Sequence, residues 1–435
     1  MLEVIHSDAL TALRGLPDES VQCCVTSPPY FGLRSYGTDP VVWGGNADCE
    51  HEWFSKDWYR NGGGRASGGN FAKAGDKNAA NIKESRWMVD STCVACGAWR
   101  GELGLEPTPD LYVEHLVQIF REVRRVLRPD STLWLNLSDS YAGSWGNYWP
   151  QTKDTKGMKE RRDSWRRESY EGTEKTRPPT ALRPHEAAAM GLKPKDLIGI
   201  PWRVALALQS DGWYLRSEIT WCKQAPMPES VRDRPTSATE KIFLLSKSEK
   251  YFYNNEAVRE RYADSTITRV SQPSFETQIG GDKDPHNGNR SVRKSLENLK
   301  ARVDKQRGHS RRHAGFNDRW DSMSKEEQCA GGANLRNYWV LGPDCFPEAH
   351  FATFPREIPK RCILLGSKAG DTILDPFAGS GTTGKVAIEL GRKAILIEPK
   401  AEYVEMINKR CQTTIGLPLT YGATTRRAGS GDNGS

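Results

Sequence analysis

Val21-Gln22-Cys23-Cys24-Val25-Thr26-Ser27-Pro28-Pro29-Tyr30-Phe31 is the stretch from which the fold is read. Its first residues form a short apolar run rich in β-branched and Cys side chains, the pattern of a buried strand. The strand stops at two prolines. Pro28 holds Ser27 extended and Pro29 does the same to Pro28, so the backbone at the strand end is stiff. Neither proline has an N–H, and their carbonyls are acceptors with no donor beside them. A hydroxyl, a fixed carbonyl and an aromatic ring therefore meet at a strand end, where open α/β sheets place their sites. The set suits a flat ring with a polar edge, offering acceptors to an amino group and a face for stacking. Taken alone, the stretch also reads as a strand-terminating Pro-Pro turn with a core tyrosine.

A second stretch bears on that choice. Thr372-Ile373-Leu374-Asp375 reads as a strand, Pro376-Phe377-Ala378-Gly379-Ser380-Gly381-Thr382-Thr383 as a turn, and Gly384–Leu390 as a helix. Ala394-Ile395-Leu396-Ile397-Glu398 is a further buried strand that ends on an acid. Glycines let the backbone of such a β–turn–α loop approach a ligand closely, and Glu398 is placed to accept from ribose hydroxyls. The loop lacks the G-x-G-x-x-G spacing of dinucleotide folds and has no lysine placed as in a phosphate loop. Asp375 at the strand end disfavours an anionic phosphate and favours a cationic or hydroxyl-rich ligand. S-adenosylmethionine, with its ammonium, sulfonium and ribose, meets that description.

The totals set limits on the rest. A chain of 435 residues buries a large core and suggests two or three structural units. A net charge of +7 is compatible with an acidic partner such as nucleic acid. No signal segment opens the chain and no apolar run reaches the ~18 residues of a membrane span, so the expectation is a soluble, cytoplasmic protein with no membrane partner. In that compartment its ten cysteines are free or metal-bound rather than paired.

Along the chain, residues 1–40 read as strand, helix, strand. Residues 44–104 are dominated by Gly and Asn, an inserted loop rather than sheet. It carries Cys49-Glu50-His51 and Cys93-Val94-Ala95-Cys96-Gly97. The Cys-x-x-Cys-Gly knuckle can place two thiolates on one ion, and Cys49 with His51 would complete a tetrahedral structural zinc site. Coincidence among ten cysteines and redox chemistry are the other readings. A Gly-rich loop with little core would gain most from a metal staple, which favours zinc. Leu111–Leu127 has helical apolar spacing, with His115 a helix-face histidine, and Ser131–Leu137 is a strand. Residues 142–190 interleave cations with Trp145, Trp149 and Trp165, either a solvated loop or a DNA-contacting arm. A helix at Trp202–Ser210 is followed by strand-like Trp213–Trp221, Phe243–Ser246 and Tyr251–Tyr253. Residues 255–335 are again polar and basic, a recognition segment rather than a second core. Beyond Leu417 the Gly/Ser/Thr-rich tail reads as disordered.

Ser27-Pro28-Pro29-Tyr30 together with Asp375-Pro376-Phe377-Ala378-Gly379-Ser380-Gly381-Thr382 resembles the DNA amino-methyltransferase family in the permuted motif order of its beta class. Asp8, Glu122–Leu127, Trp213–Lys223, His350–Pro355 and Glu398 are supporting matches, and the Cys/His insertion resembles phage and prophage members. The resemblance implies an α/β, Rossmann-like methyltransferase with a mostly parallel seven-stranded sheet, inserted loops and a target-recognition region. It divides the chain into a catalytic-motif half (1–43), the zinc-knuckle insertion (44–104), continued core with the basic loop (105–254), a target-recognition region (255–335), a cofactor half (336–416) and the tail (417–435). It further implies S-adenosylmethionine as cofactor, bound by Asp8, His350, Phe354, Pro355, Asp375, Pro376, Phe377, Gly379, Ser380, Gly381, Thr382 and Glu398. Ser27, Pro28, Pro29 and Tyr30 would carry methyl transfer to the exocyclic amino group of a flipped base, adenine N6 or cytosine N4, in double-stranded DNA. Ser at the first motif position usually accompanies cytosine, with exceptions, and leaves the base open. A homodimer is implied; no nuclease motif is evident in the chain, consistent with an orphan or a restriction-modification enzyme. Rival readings are an RNA amino-methyltransferase and an inactive DNA-binding regulator of the same fold. The absence of any Pro-Cys pair excludes the thiolate nucleophile of a cytosine-carbon methylase.

Overall fold

A computed structural model describes residues 1–33, 35–46, 48–54, 91–142, 191–193, 195–226, 228–262, 264–265, 268, 332–342, 344, 354–415 and 424–427. The basic stretch 143–190, most of the Gly-rich insertion, most of the arginine-rich segment and His350 lie outside them. The chain divides into two compact units, Met1–Tyr253 with Asn337–Ser435, and Asn254–Arg336. In the second unit the described residues include a 3-10 turn, Asn255–Val258, and a two-way backbone bridge between Glu260 and Ala333.

The first unit is built on one sheet. Its strands are β1 (Leu2–His6), β2 (Val21–Thr26), β5 (Leu127–Leu137), β6 (Tyr214–Lys223), β7 (Thr239–Ser246), β8 (Tyr338–Leu341), β9 (Thr372–Asp375), β10 (Lys393–Glu398) and β11 (Thr424–Arg427). They lie in the order β11-β1-β10-β9-β2-β5-β7-β6-β8. All pairs are parallel except those of β7, which runs against both neighbours. Every residue of β2 is buried, as expected of a central parallel strand covered on both faces.

Among the described residues, six helices cover it: α1 (Ala9–Arg14), α2 (Pro109–Val126), α3 (Ile200–Ser210), α4 (Glu357–Gly366), α5 (Thr382–Glu389) and α6 (Ala401–Ile415). Helix α2 packs on α1 and α3, while α5 packs on α4 and α6. Neighbouring residues of β2 sort the two layers. Cys24 joins the core cluster built on α2, and Cys23 lies beneath Gly366 of α4. Helix α2 starts where Thr108 accepts from the Leu111 amide and Pro109 presets the first turn. Its Tyr112, Leu116, Ile119, Phe120, Val123 and Val126 form the buried stripe, each worth about 1.5–3 kcal/mol of apolar burial.

Five expectations change. The described sheet has nine strands rather than seven, with β8 and β11 added at its two edges. Strand β11 lies within the tail expected to be disordered, where it pairs with the open edge of β1. Backbone pairing by four residues leaves little trace in side-chain pattern. The insertion is not all loop either, because β3 (Val41–Trp43) and β4 (Trp99–Gly101) form a separate antiparallel pair at its base. Tyr251–Tyr253 is not a strand; the Phe252 amide bonds to Asp130 O instead. Strand β5 begins four residues earlier than its apolar run. Pro129 is accommodated because the β2–β5 register shifts beside it, between Val21 and Cys23.

Strand β2 pairs with β9 through Cys23–Ile373 and Cys24–Leu374. Directly beyond, Thr26 Oγ1 donates to Asp375 Oδ1 at 2.6 Å, and the Phe377 amide donates to the same oxygen at 3.1 Å. Burial pushes the Asp375 carboxyl up to about 6, against the pull of these donors and Thr383. A carboxyl held above its unfolded value, near 3.9, contributes stability at low pH, and that contribution is lost as pH rises through the folded value. The stability of the wild type relative to Asp375→Asn should therefore fall by about 2–3 kcal/mol between pH 4 and 7. Urea unfolding at a series of pH values measures it, and parallel profiles for the two proteins would refute the assignment.

Candidate active site

The pairing of β2 with β9 brings the two sequence motifs to one sheet edge, where they border a cavity of about 450 Å³. Its size lies in the range of small-molecule sites, and its position is the crevice at the carboxyl ends of parallel strands.

One wall is the loop after β9. Pro376, Phe377, Gly379, Ser380 and Thr382 line the cavity with Ala378. Gly379 donates its amide to Glu398 Oε2 at 2.9 Å, and Lys400 donates to Oε1 at 3.0 Å. Burial pushes the Glu398 carboxyl up to about 7 despite these amides. Each oxygen keeps a lone pair, so Glu398 can still accept from hydroxyls of a ligand. From α6, Arg410 Nη1 donates to Ser380 O and Oγ at 2.5 and 2.8 Å, fixing the loop from behind. Gly381 has φ +79°, and a Cβ there would lie 2.9 Å from Ile407, so only glycine lets the turn sit this close to α6.

Asp8 caps α1 by accepting from the Thr11 amide at 2.9 Å and also lines the cavity, as does Phe354. Three expected cofactor residues stand behind the wall. Asp375 is turned to Thr26 and the Phe377 amide, Gly381 packs on α6, and Pro355 accepts from the Ile358 amide at the start of α4. His350 lies outside the described residues.

The opposite wall is Ser27-Pro28-Pro29-Tyr30. Phe31 anchors this loop in the core, tilted against Tyr112 at 5.6 Å. Tyr112 Oη donates to Pro29 O at 2.7 Å, which uses one of that carbonyl's two lone pairs. The Tyr30 ring stands in the wall with its hydroxyl tied down. Ser27 Oγ donates to Tyr30 Oη at 3.1 Å, and Tyr30 Oη donates to Glu240 Oε2 at 2.7 Å. Burial, then the Glu240 charge, raises the Tyr30 phenol well above its ordinary value, so it stays a neutral donor.

Sequence reasoning missed several lining residues. Asn136 near the end of β5, Trp221 and Lys223 at the end of β6 and Glu240 at the start of β7 all face the cavity. Asn136 Nδ2 donates to Tyr30 Oη and Glu240 Oε2 at 2.8 and 2.9 Å, and Lys223 Nζ pairs with Glu240 Oε1 at 2.6 Å. Asn136 Oδ1 is buried without a hydrogen-bond partner. Pro399, Lys400, Tyr403 and Met406, just beyond Glu398, add to the cofactor-side wall, and their place after the strand-ending acid was the available signal.

The four expected metal ligands also come together. Ligand atoms of Cys49, His51, Cys93 and Cys96 all lie within 4.8 Å of one another. Zn–S bonds of about 2.3 Å and Zn–N bonds of about 2.0–2.1 Å give tetrahedral edges of about 3.8 Å (S···S) and about 3.6 Å (S···N). The Cys49–Cys93 sulfur separation is 3.9 Å and the Cys96 Sγ to His51 Nδ1 separation is 3.4 Å, which fits such an ion and is far too long for a disulfide. Desolvation pushes the Cys93 thiol up, but the Cys96 amide, His51 and the Ala95 amide outweigh it and draw it below its ordinary value, while desolvation and the sulfurs of Cys96 and Cys93 raise Cys49.

A DNA methylase family profile of the N6/N4 type matches residues 21–409. The Type II methyltransferase M.SmaI of Serratia marcescens is 34% identical over 94% of this chain and 90% of its own length. M.Cfr9I of Citrobacter freundii, also a Type II methyltransferase, is 33% identical over 94% of this chain and 87% of its own. Two motifs on one cavity and likeness along nearly the whole chain lead to one family: the chain belongs to the N6/N4 DNA methylases and is an S-adenosylmethionine-dependent DNA amino-methyltransferase.

Proposed function

We propose that the cavity is where S-adenosylmethionine and a base flipped from duplex DNA meet, with the methyl passing in line to the exocyclic amino nitrogen. The observation that carries this is the convergence of two loops 349 residues apart on one pocket, Ser27–Tyr30 on one side and Pro376–Thr382 on the other. The amino nitrogen of a base is a poor nucleophile because its lone pair is delocalised into the ring. Ser27 Oγ and a backbone carbonyl of the motif would accept its two hydrogens and return electron density to nitrogen as charge develops. Tyr30 would stack on the extruded ring. Pro376–Ser380, Asp8, Phe354 and Glu398 would hold the cofactor, Glu398 through its ribose hydroxyls. The reaction then needs positioning and acceptors, and no covalent intermediate. Asn254–Arg336, a compact unit of its own, takes the target-recognition role in this reading.

The same acceptors serve cytosine N4 or adenine N6, so the product nucleoside names the base. Incubation with methyl-labelled S-adenosylmethionine and unmodified duplex DNA should yield a labelled N4-methylcytosine or N6-methyladenine nucleoside on digestion; label in RNA alone would refute the DNA reading. Tyr30→Ala should leave the dissociation constant of S-adenosylmethionine within about threefold while methyl transfer falls by about 100-fold. Transfer at the wild-type rate would refute the stacking role.

Cys49, His51, Cys93 and Cys96 would hold one zinc ion as a closed structural site, stapling the base of the insertion rather than entering the chemistry. Metal analysis of the purified protein should return about one zinc per chain and near zero in Cys96→Ser, with a lower melting temperature in the variant. A zinc-free wild type would refute the site.

A further inference from the structure

Glu240 belongs to neither motif, yet it lies behind the catalytic loop. It opens β7, the strand that runs against its neighbours, so the start of β7 reaches the sheet edge where the parallel strands end. The carboxylate is 7% exposed. Its Oε2 accepts from Tyr30 Oη and Asn136 Nδ2, and its Oε1 is held by Lys223 Nζ. Tyr30 Oη in turn accepts from Ser27 Oγ. The hydroxyl protons of Ser27 and Tyr30 therefore point along one chain that ends on a carboxylate. With its own proton committed to Tyr30, Ser27 Oγ has only lone pairs to offer a bound amino group.

We infer that Glu240 is the terminal acceptor of a proton relay that runs from the amino nitrogen through Ser27 and Tyr30, an inference that rests on the reading of Ser27 and Tyr30 given above. The nitrogen lone pair attacks the cofactor methyl. The N–C bond forms as the C–S bond breaks, its electron pair goes to sulfur, and the sulfonium becomes a neutral thioether. The nitrogen, now positively charged, loses one proton to Ser27 Oγ. The Ser27 proton passes to Tyr30 Oη and the Tyr30 proton to Glu240 Oε2. Ser27 and Tyr30 end as neutral as they began, and Glu240 ends as the carboxylic acid. The transfer runs downhill, because a protonated exocyclic amino group on a base is a far stronger acid than a carboxylic acid. Lys223, the side chain of which is 32% exposed, pairs with Glu240 Oε1 and opens the relay to solvent. Asn136 holds the links in register by donating to both Tyr30 Oη and Glu240 Oε2, and its unpartnered Oδ1 is a further acceptor in the same wall. Glu240 is on this account a positioning and proton-accepting residue that acts through Tyr30.

The test is single-turnover methyl transfer to a duplex bearing a mapped target site, with cofactor and DNA saturating. Glu240→Gln should lower the rate by about 10–100-fold, with the dissociation constants of cofactor and DNA within about threefold of wild type. Glu240→Asp, which keeps a carboxylate, should recover part of the rate. Tyr30→Phe breaks the relay one link earlier and should show a loss similar to Glu240→Gln. The double variant Tyr30→Phe/Glu240→Gln should be no slower than Tyr30→Phe alone, because the two residues act in series. A wild-type rate in either single variant overturns the relay, as does a double variant in which the two losses multiply, since that would place Glu240 on the base directly. Failure of the wild type to methylate DNA at all would instead defeat the reading of the site.

Discussion

Strand β2 can end beside β9 only because both are buried parallel strands with apolar residues on each face, and the rest of the site depends on that pairing. A parallel pair needs a crossover between its strands, and here the crossover is nearly the whole chain. Two short contacts, Cys23–Ile373 and Cys24–Leu374, set the register. Two residues further along β2 and one further along β9, Thr26 Oγ1 meets Asp375. A slip of one residue would turn Thr26 away and leave a buried carboxylate without its hydroxyl. The acid in the cofactor motif is thus bound up with where the catalytic loop begins, and this explains why it lies behind the cavity wall rather than in it.

The motif loops were legible because their chemistry is local. Two prolines stiffen Ser27–Tyr30 whatever the rest of the chain does, and the Gly-rich turn announces close backbone approach at Gly381. The clustering of Cys49, His51, Cys93 and Cys96 was legible for the same reason, since Cys-x-x-Cys-Gly places two sulfurs on one side of a tight turn before any tertiary contact forms. Strands β1, β2, β9 and β10 followed from their apolar runs. The network of Asn136, Lys223 and Glu240 was not legible. Each is an ordinary polar residue at a strand end, and what joins them is the reversal of β7 and the diagonal step from Asn136 to Glu240 across it. Neither is visible without knowing strand order. Strand β11 escaped because an edge strand held by backbone pairing needs no particular side chains.

His115 shows how little spacing alone says about a single residue. It sits on the face of α2 as expected, but it is buried, with Trp43 stacked on it at 4.5 Å and Trp99 at 5.5 Å. Its Nδ1 meets Glu106 Oε1 at 2.9 Å, which fixes the ring between the two indoles. Trp43 and Trp99 face each other across β3 and β4, so one imidazole anchors the small sheet to the core. Helical spacing alone does not predict two indoles stacked on one imidazole.

That anchor links the Cys93–Cys96 knuckle to the Ser27–Tyr30 loop through a chain of hydrogen bonds. From the knuckle the chain runs Gly97, Ala98, Trp99 into β4, and the Cys93 amide bonds to Ala98 O at 2.7 Å. Just beyond β4, Glu102 accepts from Ser35 Oγ and the Tyr36 amide, and Gly104 O accepts from the Gly32 amide at 2.9 Å. Glu106 Oε2 in turn accepts from the Gly104 amide at 2.7 Å. Gly104 has φ +92°, and a Cβ there would lie 3.1 Å from Tyr30 O and 3.2 Å from Pro29 Cβ, so the segment presses directly on the motif. The chain after Tyr30 has little regular structure of its own between Phe31 and β3. Its position is set by Phe31 in the core and by backbone bonds to residues 102–104. The insertion therefore does more than cover surface: it supplies the surface against which the loop that follows Ser27–Tyr30 is held, and the stiffness of that loop is what a reaction dependent on positioning requires.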